Sequence, residues 1–417
     1  MATMDYISSK NIVLLTEDLL KLIDARLVKH GLKVGYVFYR LLEKKGGYEK
    51  FELAEWATLG TLHDIGAFET ENTKDFKKYE LKNVRPHSIY GFLFLKNLSP
   101  FGDRAKTLLY HHIDYKKMEG LDYAYRTEAE YLAFAEAFDV YRDMLEDRFS
   151  LDLMKQHVGT RYSPEAFKHF MELEETEHIS EKIDDGSFYD ELDHILNYVM
   201  FTNEEKENYL RLLMYCMGFA SKTKVVDSVT SIFVCDELAE RLGFDKDEKE
   251  KLYYGALLHD IGMLAIPRDI IESARKLTPE EFDMMKSHVQ LSEDILANRM
   301  DEECLKIAVA HHERLDGSGY PRGMYEGELN QSQKVLQVAD IVTGLTGERP
   351  HKAPCTKEQT IEILRKEEKG GRISKEVTDT LILSYDEIMR KAKMESEESL
   401  TLYKKMSKQF ESVKAKL

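Results

Sequence analysis

The stretch that decides the fold runs from residue 257 to residue 354. It contains LLHDIGMLAIPRDII (257–271), KSHVQLSEDIL (286–296), AVAHHERLDGSGYPRG (308–323) and VLQVADIVTGLTGERPHKAP (335–354). Apolar residues recur at helical spacing in these segments, so the stretch predicts helices that carry polar side chains beside their buried faces. The polar side chains that could bind a metal are His259, Asp260, His288, His311, His312 and Asp340.

This set of side chains predicts a metal site. Imidazole and carboxylate together suit iron, manganese or zinc. The adjacent pairs His259–Asp260 and His311–His312 could let one position serve two metal ions. A two-metal site holds an attacking hydroxide and a leaving oxygen at once, as phosphoester hydrolysis requires. A lone histidine beside an apolar run is usually a satisfied core or surface residue, but histidines and aspartates gathered in this order favour the metal.

The second half of the chain resembles the HD-GYP branch of the HD phosphohydrolase superfamily. The resemblance covers residues 224–388 and rests on HDIG, a later histidine, HHERLDGSGYP and VADIVTGLTGERP. It implies a helical fold, two or three metal ions, usually iron or manganese, and hydrolysis of cyclic di-GMP by a metal-bridging hydroxide. Asp260 would act in catalysis with that hydroxide, and Tyr320, Arg349 and Lys352 would contact the substrate.

Three positions depart from the family pattern. Asp227 stands where the family has a histidine ligand, and a carboxylate there can still bind iron or manganese. Thr223 replaces the glutamate of three-metal members, so we expect two divalent metal ions per site. Met263 replaces a lysine that would help to neutralise substrate phosphate, so we expect reduced activity and a gain from Met263→Lys.

The first half repeats the same order of motifs. The offsets between matching positions are 197 (227 − 30), 196 (259 − 63), 201 (288 − 87), 200 (311 − 111) and 204 (340 − 136), which indicates an internal duplication. The second predicted metal site is His30, His63, Asp64, His87, His111, His112 and Glu136. Asp139 is another possibility for its last ligand. This half lacks a GYP loop, so it could hydrolyse another phosphoester or be a regulatory copy.

Composition limits the partners. The 417 residues are 43% hydrophobic and carry 59 basic against 76 acidic side chains, a net charge of −17. That balance argues against binding to a nucleic-acid polymer. The sequence has no run of about 18 apolar residues, which argues against a membrane span. Four scattered cysteines and an N-terminus unlike a signal peptide predict a cytoplasmic protein.

The sequence therefore predicts an all-α protein with two tandem HD-type domains. The expected boundaries are 1–190 for the domain without the GYP loop, 200–390 for the HD-GYP domain and 391–417 for a charged, solvated terminal helix. The leading function is a metal-dependent phosphodiesterase for a cyclic dinucleotide, above all cyclic di-GMP. Two alternatives stay open: a weakened dinucleotide-binding or regulatory module, and a nucleotide phosphohydrolase that uses the N-terminal site. A homodimer or a signalling partner protein is compatible with each of these functions.

Overall fold

The computed structural model describes residues 6–23, 29–69, 85–220, 222–348 and 353–415. Within these ranges the chain is all-α, as predicted, and extended segments pair only as two isolated bridges, Val158–Tyr162 and Asp316–Tyr325. None of the helices in these ranges has both the length and the apolarity that a bilayer crossing requires.

The chain divides into two compact units. Among the described residues, the N-terminal unit comprises 9–209 and 408–415, and the C-terminal unit comprises 6–8 and 210–407. Each unit thus includes a short terminal segment from the opposite end of the chain.

In the N-terminal unit, α2 packs against α3 and α7. The α-helices of this unit are α1 (Ser9–Ile23), α2 (His30–Lys45), α3 (Lys50–Thr61), α4 (Arg85–Leu98), α5 (Thr107–Tyr110), α6 (Tyr115–Met118), α7 (Arg126–Leu145), α8 (Leu151–Lys155), α9 (Pro164–Glu177), α10 (Ile179–Asp185) and α11 (Phe188–Leu196). Its 3₁₀ turns are Ile65–Glu69, Gly102–Lys106 and Glu146–Arg148.

In the C-terminal unit, α13 packs against α14 and α18, and α14 packs against α17. The boundary between the units falls within α12 (Asn203–Ala220). The helices that follow are α13 (Lys222–Leu242), α14 (Lys246–Leu258), α15 (Arg268–Ile271), α16 (Pro279–Leu296), α17 (Glu302–Ala308), α18 (Gln331–Thr346), α19 (Lys357–Lys369), α20 (Lys375–Leu383) and α21 (Tyr385–Lys414). The 3₁₀ turns are Ile261–Ala265 and Glu326–Glu328.

Local sequence signals start the helices that carry the predicted site. Asp245 and Glu248 form a reciprocal capping box at the start of α14, and Thr278 and Glu281 form another at the start of α16. Each box satisfies backbone N–H groups that have no partner inside the helix. These caps set where α14 and α16 begin. His259 directly follows the end of α14, and His288 lies on a buried face of α16.

The terminal helix is longer and more buried than predicted. It begins at Tyr385, and Ile388, Ala392 and Ser396 are buried within the C-terminal unit. Each of these residues is four positions after the previous one, so all three share one helix face. The many charged residues around them make this face hard to recognise in the sequence. Farther along, Phe410 stacks on Tyr90 of the N-terminal unit, with 4.3 Å between ring centroids. The helix is therefore not simply solvated.

Candidate metal centres

The position of the HDIG motif depends on a close backbone approach that only glycine permits. His259 and Asp260 directly follow α14, and the 3₁₀ turn after them lies against α16. A Cβ atom at Gly262 would lie 2.2 Å from the carbonyl oxygen of His288. The matching Gly66 of the N-terminal unit is as tight, because its Cβ would lie 1.9 Å from the carbonyl oxygen of His87. In both units this glycine lets the HD pair approach the helix that carries the next histidine.

The histidines of the C-terminal unit present their Nε2 atoms to one another. The Nδ1 atoms of His259, His288 and His311 each lie 2.7 Å from a backbone carbonyl oxygen three residues earlier. A carbonyl oxygen only accepts, so each Nδ1 carries the proton and each Nε2 carries a lone pair. The Nε2 atoms of His288 and His311 are 3.2 Å apart. Two lone pairs held this close repel each other, and a shared cation would remove that repulsion.

The carboxylate of Asp260 lies between these rings. Its Oδ1 is 3.4 Å from Nε2 of His288, and its Oδ2 is 3.7 Å from Nε2 of His259. On the open side, Oδ2 of Asp340 is 3.5 Å from Nδ1 of His312, and these two side chains are 24% and 22% exposed. Asp260 thus offers its two oxygens to different histidines, as a carboxylate that bridges two metal ions would. The donor set fits divalent transition metal.

The buried imidazole of His311 is kept neutral. Burial, together with the neighbouring rings of His312 and His259, holds the pKa of His311 well below its usual range. Neutral imidazole is the form that binds metal, so little proton release opposes binding at this position.

One predicted ligand, Asp227, and the predicted substrate residues lie in different places. Asp227 is buried on α13 and lines a cavity of about 670 Å³, but among the described residues it does not join the groups of donor atoms within 4.8 Å of one another. The ring of Tyr320 lies 4.8 Å from that of His312. Burial, with Asp340 and Asp260 nearby, raises the pKa of Tyr320, so its hydroxyl stays a donor. Thr223 has no described side chain, and Arg349 and Lys352 lie outside the described residues.

The GYP loop is organised by a residue whose role the sequence did not reveal. Glu313 is completely buried, and its two carboxylate oxygens accept from the backbone N–H groups of Arg322 (2.7 Å) and Met324 (2.9 Å). This carboxylate closes the loop on itself, because the two amides that it binds lie nine and eleven residues ahead in the chain.

Met263 does not lie where a lysine could reach substrate phosphate from a shared helix. Helix α14 ends at Leu258, and Met263 belongs to the separate 3₁₀ turn. Its side chain is 2% exposed and packs with Ile266 and Ile270 in an apolar cluster. The structure therefore gives no support to the expected gain in activity from Met263→Lys, since that lysine would be buried among hydrocarbon side chains.

The N-terminal unit builds its cluster around Glu136. The Oε2 atom of Glu136 is 2.9 Å from Nε2 of His30 and 2.8 Å from Nε2 of His63. Asp139 instead contacts the other ring nitrogen of His30 at 2.8 Å and the ammonium of Lys33 at 3.1 Å. Glu136 faces the nitrogens that would bind metal, whereas Asp139 orients His30 from behind.

The remaining donors of this unit repeat the C-terminal arrangement only in part, because the close Nε2 pair is His87–His112 and not the equivalent of His288–His311. Nδ1 of His111 is 2.6 Å from the carbonyl oxygen of Leu108, and Nε2 of His87 is 3.0 Å from Nε2 of His112. The two oxygens of Asp64 lie 3.5 Å from Nε2 of His63 and 3.6 Å from Nε2 of His87. This donor set also fits metal.

Charge is distributed unevenly across the N-terminal cluster. Burial lowers the pKa of His63, but Asp64 and Glu136 outweigh it and raise the value to about 9. At the other end, burial and the rings of His63 and His87 lower the pKa of His111 to about 3. One end therefore carries ion pairs and the other carries neutral imidazoles.

Comparison with known proteins identifies the second half. Residues 216–377 match the HD domain family. Residues 216–377, which lie in the C-terminal half, are therefore similar to an HD domain. Its resemblance to the HD-GYP branch is confirmed, and an HD domain implies binding of divalent metal.

Named relatives extend the comparison. The chain is 25% identical, over 389 residues, to 3′3′-cGAMP-specific phosphodiesterase 1 of Vibrio cholerae, covering 85% of this chain and 86% of that protein. A cyclic di-GMP phosphodiesterase of Thermotoga maritima is 36% identical over 166 residues, which are 39% of this chain and only 44% of that protein. The crystal structure of a cyclic GMP-AMP-specific phosphodiesterase from Vibrio cholerae superposes with a TM-score of 0.60 at 16% identity. The superposition covers 91% of this chain and 98% of the chain in that crystal structure. That structure shows the shared all-α fold.

Proposed function

We propose that the C-terminal unit is a metal-dependent phosphodiesterase that opens a 3′3′-cyclic dinucleotide. The observation that carries the proposal is the convergence of His288 Nε2, His311 Nε2 and both oxygens of Asp260 beside the Tyr320 loop. These residues, with His259, His312 and Asp340, would hold divalent metal, which would supply an activated water and positive charge for the phosphodiester.

The side chains of the unit would prepare the reaction in three ways. The Nδ1 hydrogen bonds of the histidines fix their rings, so that little reorganisation is needed during the reaction. Burial of Asp260 and His311 excludes bulk water from the far side of the cluster. Tyr320 keeps its proton and can donate to a phosphate oxygen on the open side. In-line displacement at one phosphorus would break one P–O3′ bond and release a linear dinucleotide.

A difference between the two units supports assigning the large substrate to the second one. Lys33 and Asp139 form an ion pair next to the N-terminal cluster. At the matching offsets of 197 and 204, the C-terminal unit has Thr230 and Thr343, and both line the cavity of about 670 Å³. The exchange of a long ion pair for two small hydroxyl residues would leave room for one nucleoside of the substrate. Cavities of about 300–1,000 Å³ are typical of small-molecule sites.

We propose 3′3′-cyclic GMP-AMP as the substrate, with cyclic di-GMP as the competing possibility. The support is the length of the match: a relative that aligns over 85% of this chain is specific for cyclic GMP-AMP, whereas the cyclic di-GMP enzyme of Thermotoga maritima aligns over 39% of this chain. The resemblance to the HD-GYP branch alone favours cyclic di-GMP.

The test is product analysis with the full chain. Protein reconstituted anaerobically with iron(II) or manganese(II), and the same protein after chelation, is incubated with each cyclic dinucleotide. We expect a linear product only from the metal-loaded protein and a higher kcat/KM for cyclic GMP-AMP. A higher value for cyclic di-GMP would reverse the substrate assignment. No linear product from either dinucleotide, with metal bound, would overturn the phosphodiesterase proposal.

A further inference from the structure

A second cavity, of about 450 Å³, opens beside the N-terminal cluster. His111, His112 and Glu136 of the cluster line this cavity together with Arg161, Tyr141 and Tyr162. Alanine, valine and methionine side chains of α7 add an apolar part of the lining. A concave, mostly apolar lining with a few polar groups is the usual form of a small-molecule site.

Two buried polar atoms of residues that line this cavity have no hydrogen-bond partner among the described residues. They are the hydroxyl of Tyr162, a residue only 3% exposed, and Oε1 of Glu136, also 3% exposed. A buried polar group without a partner is unfavourable. Both groups belong to residues that line the cavity, so a bound ligand or metal ion could satisfy them.

Arg161 is the clearest difference between the two copies of the fold. The backbone N–H of Tyr115 donates to the carbonyl oxygen of Arg161 at 3.0 Å, and the N–H of Leu315 donates to that of Arg372 at 2.9 Å. The same hydrogen bond, and the matching sequences GTRYS (159–163) and GGRIS (370–374), make Arg161 and Arg372 equivalent.

Arg372 is neutralised by its own unit, but Arg161 is not. The Arg372 guanidinium lies 3.2 Å from Glu367 and 3.6 Å from Asp316. The residue after Tyr115 is Lys116 instead of Asp316, and the residues four and five positions before Arg161 are His157 and Gln156, neither of them acidic. Both acids that pair with Arg372 are therefore replaced.

The guanidinium of Arg161 is held at the cavity without an acidic partner. Nη1 donates to the hydroxyl of Tyr141 at 2.7 Å, and the guanidinium carbon lies 5.5 Å and 5.8 Å from the ring centroids of Tyr141 and Tyr162. Among the described residues Arg161 forms no ion pair. Two aromatic rings thus fix a full positive charge, with most of its donors available, in a protein whose net charge is −17.

We propose that this cavity binds a phosphorylated small molecule of mononucleotide size. Its phosphate would lie between Arg161, the hydroxyl of Tyr162 and the His/carboxylate cluster, because guanidinium matches a phosphate with two parallel hydrogen bonds. Its uncharged part would lie against the apolar wall of α7. The proposal concerns the N-terminal unit and does not depend on the reaction proposed for the C-terminal unit.

The test is calorimetric titration of the full, metal-loaded chain with adenosine 5′-monophosphate, and with adenosine as the phosphate-free control. All proteins carry His311→Ala so that the C-terminal cluster does not contribute. The variants are Arg161→Gln, which removes the charge, and Lys116→Asp, which restores the acid present in the other copy and leaves Arg161 in place. Arg372→Gln is the matched control in the C-terminal unit.

We expect Arg161→Gln and Lys116→Asp each to weaken binding of the monophosphate by about tenfold or more, the usual effect of losing a hydrogen bond to a charged group. Arg372→Gln should leave the affinity unchanged, and adenosine should bind much more weakly than the monophosphate. Equal affinity for adenosine and the monophosphate would overturn the proposal. So would the absence of binding, or an affinity that neither N-terminal variant changes. Lys116→Asp keeps the test valid if Arg161→Gln does not fold.

Discussion

One repeated hydrogen bond orients the histidines of both clusters. His63, His111, His259, His288 and His311 each place Nδ1 within 2.6–2.7 Å of the carbonyl oxygen three residues earlier. The sequence identifies these histidines, since they stand at matching positions of two motif sets. It cannot show which nitrogen faces the site, because that depends on where a local turn points a backbone carbonyl. Only the structure shows that Nδ1 bonds to the backbone and that Nε2 faces the site.

The N-terminal cluster shows the same limit for carboxylates. The sequence left Glu136 and Asp139 as alternatives for the last ligand, since both follow apolar residues of one helix. The structure places Glu136 against Nε2 of two histidines, and Asp139 against the far nitrogen of His30. Glu136 and Asp139 are three residues apart on one helix, so their side chains point in different directions. Neither composition nor spacing in the sequence predicts which of the two faces the Nε2 atoms.

Met263 gives a prediction at the scale of one residue. Met263→Lys would place an ammonium group in the apolar cluster with Ile266 and Ile270. We expect the free energy of unfolding to fall by about 3 kcal/mol, because the buried charge has no partner there. Turnover per folded molecule should not rise. Chemical denaturation and the hydrolysis assay measure the two quantities.

Met263→Leu is the control for this experiment. The substitution keeps the volume and adds no charge, so it should cost less than about 1.5 kcal/mol. A tenfold gain in turnover by Met263→Lys, with stability unchanged, would show that the lysine side chain reaches the substrate and that the apolar cluster is not its destination.

At the scale of elements, the sequence predicted the helices well and the loops poorly. Capping boxes and apolar periodicity lie within a few residues of each other, so α14 and α16 could be predicted from local sequence. The closure of the GYP loop on Glu313 could not, because the two amides that Glu313 binds are made available only by the folded loop. The burial of α21 was likewise missed, since its few apolar positions find their partners far away in the chain.

The GYP loop carries the prediction for this scale. Glu313→Gln keeps the size of the side chain but sets an NH₂ group against one of two backbone N–H donors. We expect this mismatch to cost about 1–3 kcal/mol and to loosen residues 313–325. Hydrogen–deuterium exchange of that segment should accelerate and KM for the dinucleotide should rise, while bound metal stays unchanged.

The matched control is Glu326→Gln in the same loop. Glu326 is exposed and only 3.9 Å from Lys334, an ion pair of little energetic weight. It should leave both exchange and KM as in the unaltered protein. Identical exchange in Glu313→Gln and Glu326→Gln would mean that the buried carboxylate does not hold the loop.

On the scale of the whole molecule, the duplication is visible in the sequence, but the division of the chain is not. Near-constant offsets between the motif sets predict two similar halves. The structure assigns residues 6–8 to the C-terminal unit and residues 408–415 to the N-terminal unit. No local signal marks those terminal residues as belonging to the opposite half. Experiments on each site are therefore best made in the full chain, since a cut between the halves would separate each terminal segment from its unit.

Metal content gives the prediction that compares the two units. We expect the anaerobically reconstituted full chain to bind divalent metal in both. His63→Ala should remove only the metal bound by the N-terminal unit, and His259→Ala only the metal bound by the C-terminal unit. Each substitution leaves the donor set of the other unit intact. Elemental analysis of the two variants and the unaltered chain measures this. An unchanged metal content in His63→Ala would contradict the assignment of a metal centre to the N-terminal unit.

The measurement that tests the central claim most directly is hydrolysis of 3′3′-cyclic GMP-AMP by two variants at equivalent positions. His311→Ala and His111→Ala remove the equivalent proposed ligand from the two copies of the fold. We predict that His311→Ala loses more than about a hundredfold in kcat/KM, since loss of a single charge-stabilising donor already costs that much. We predict that His111→Ala, with its fold verified by circular dichroism, retains most of the activity. Equal losses in the two variants, or a larger loss in His111→Ala, would contradict the assignment of the chemistry to the C-terminal unit.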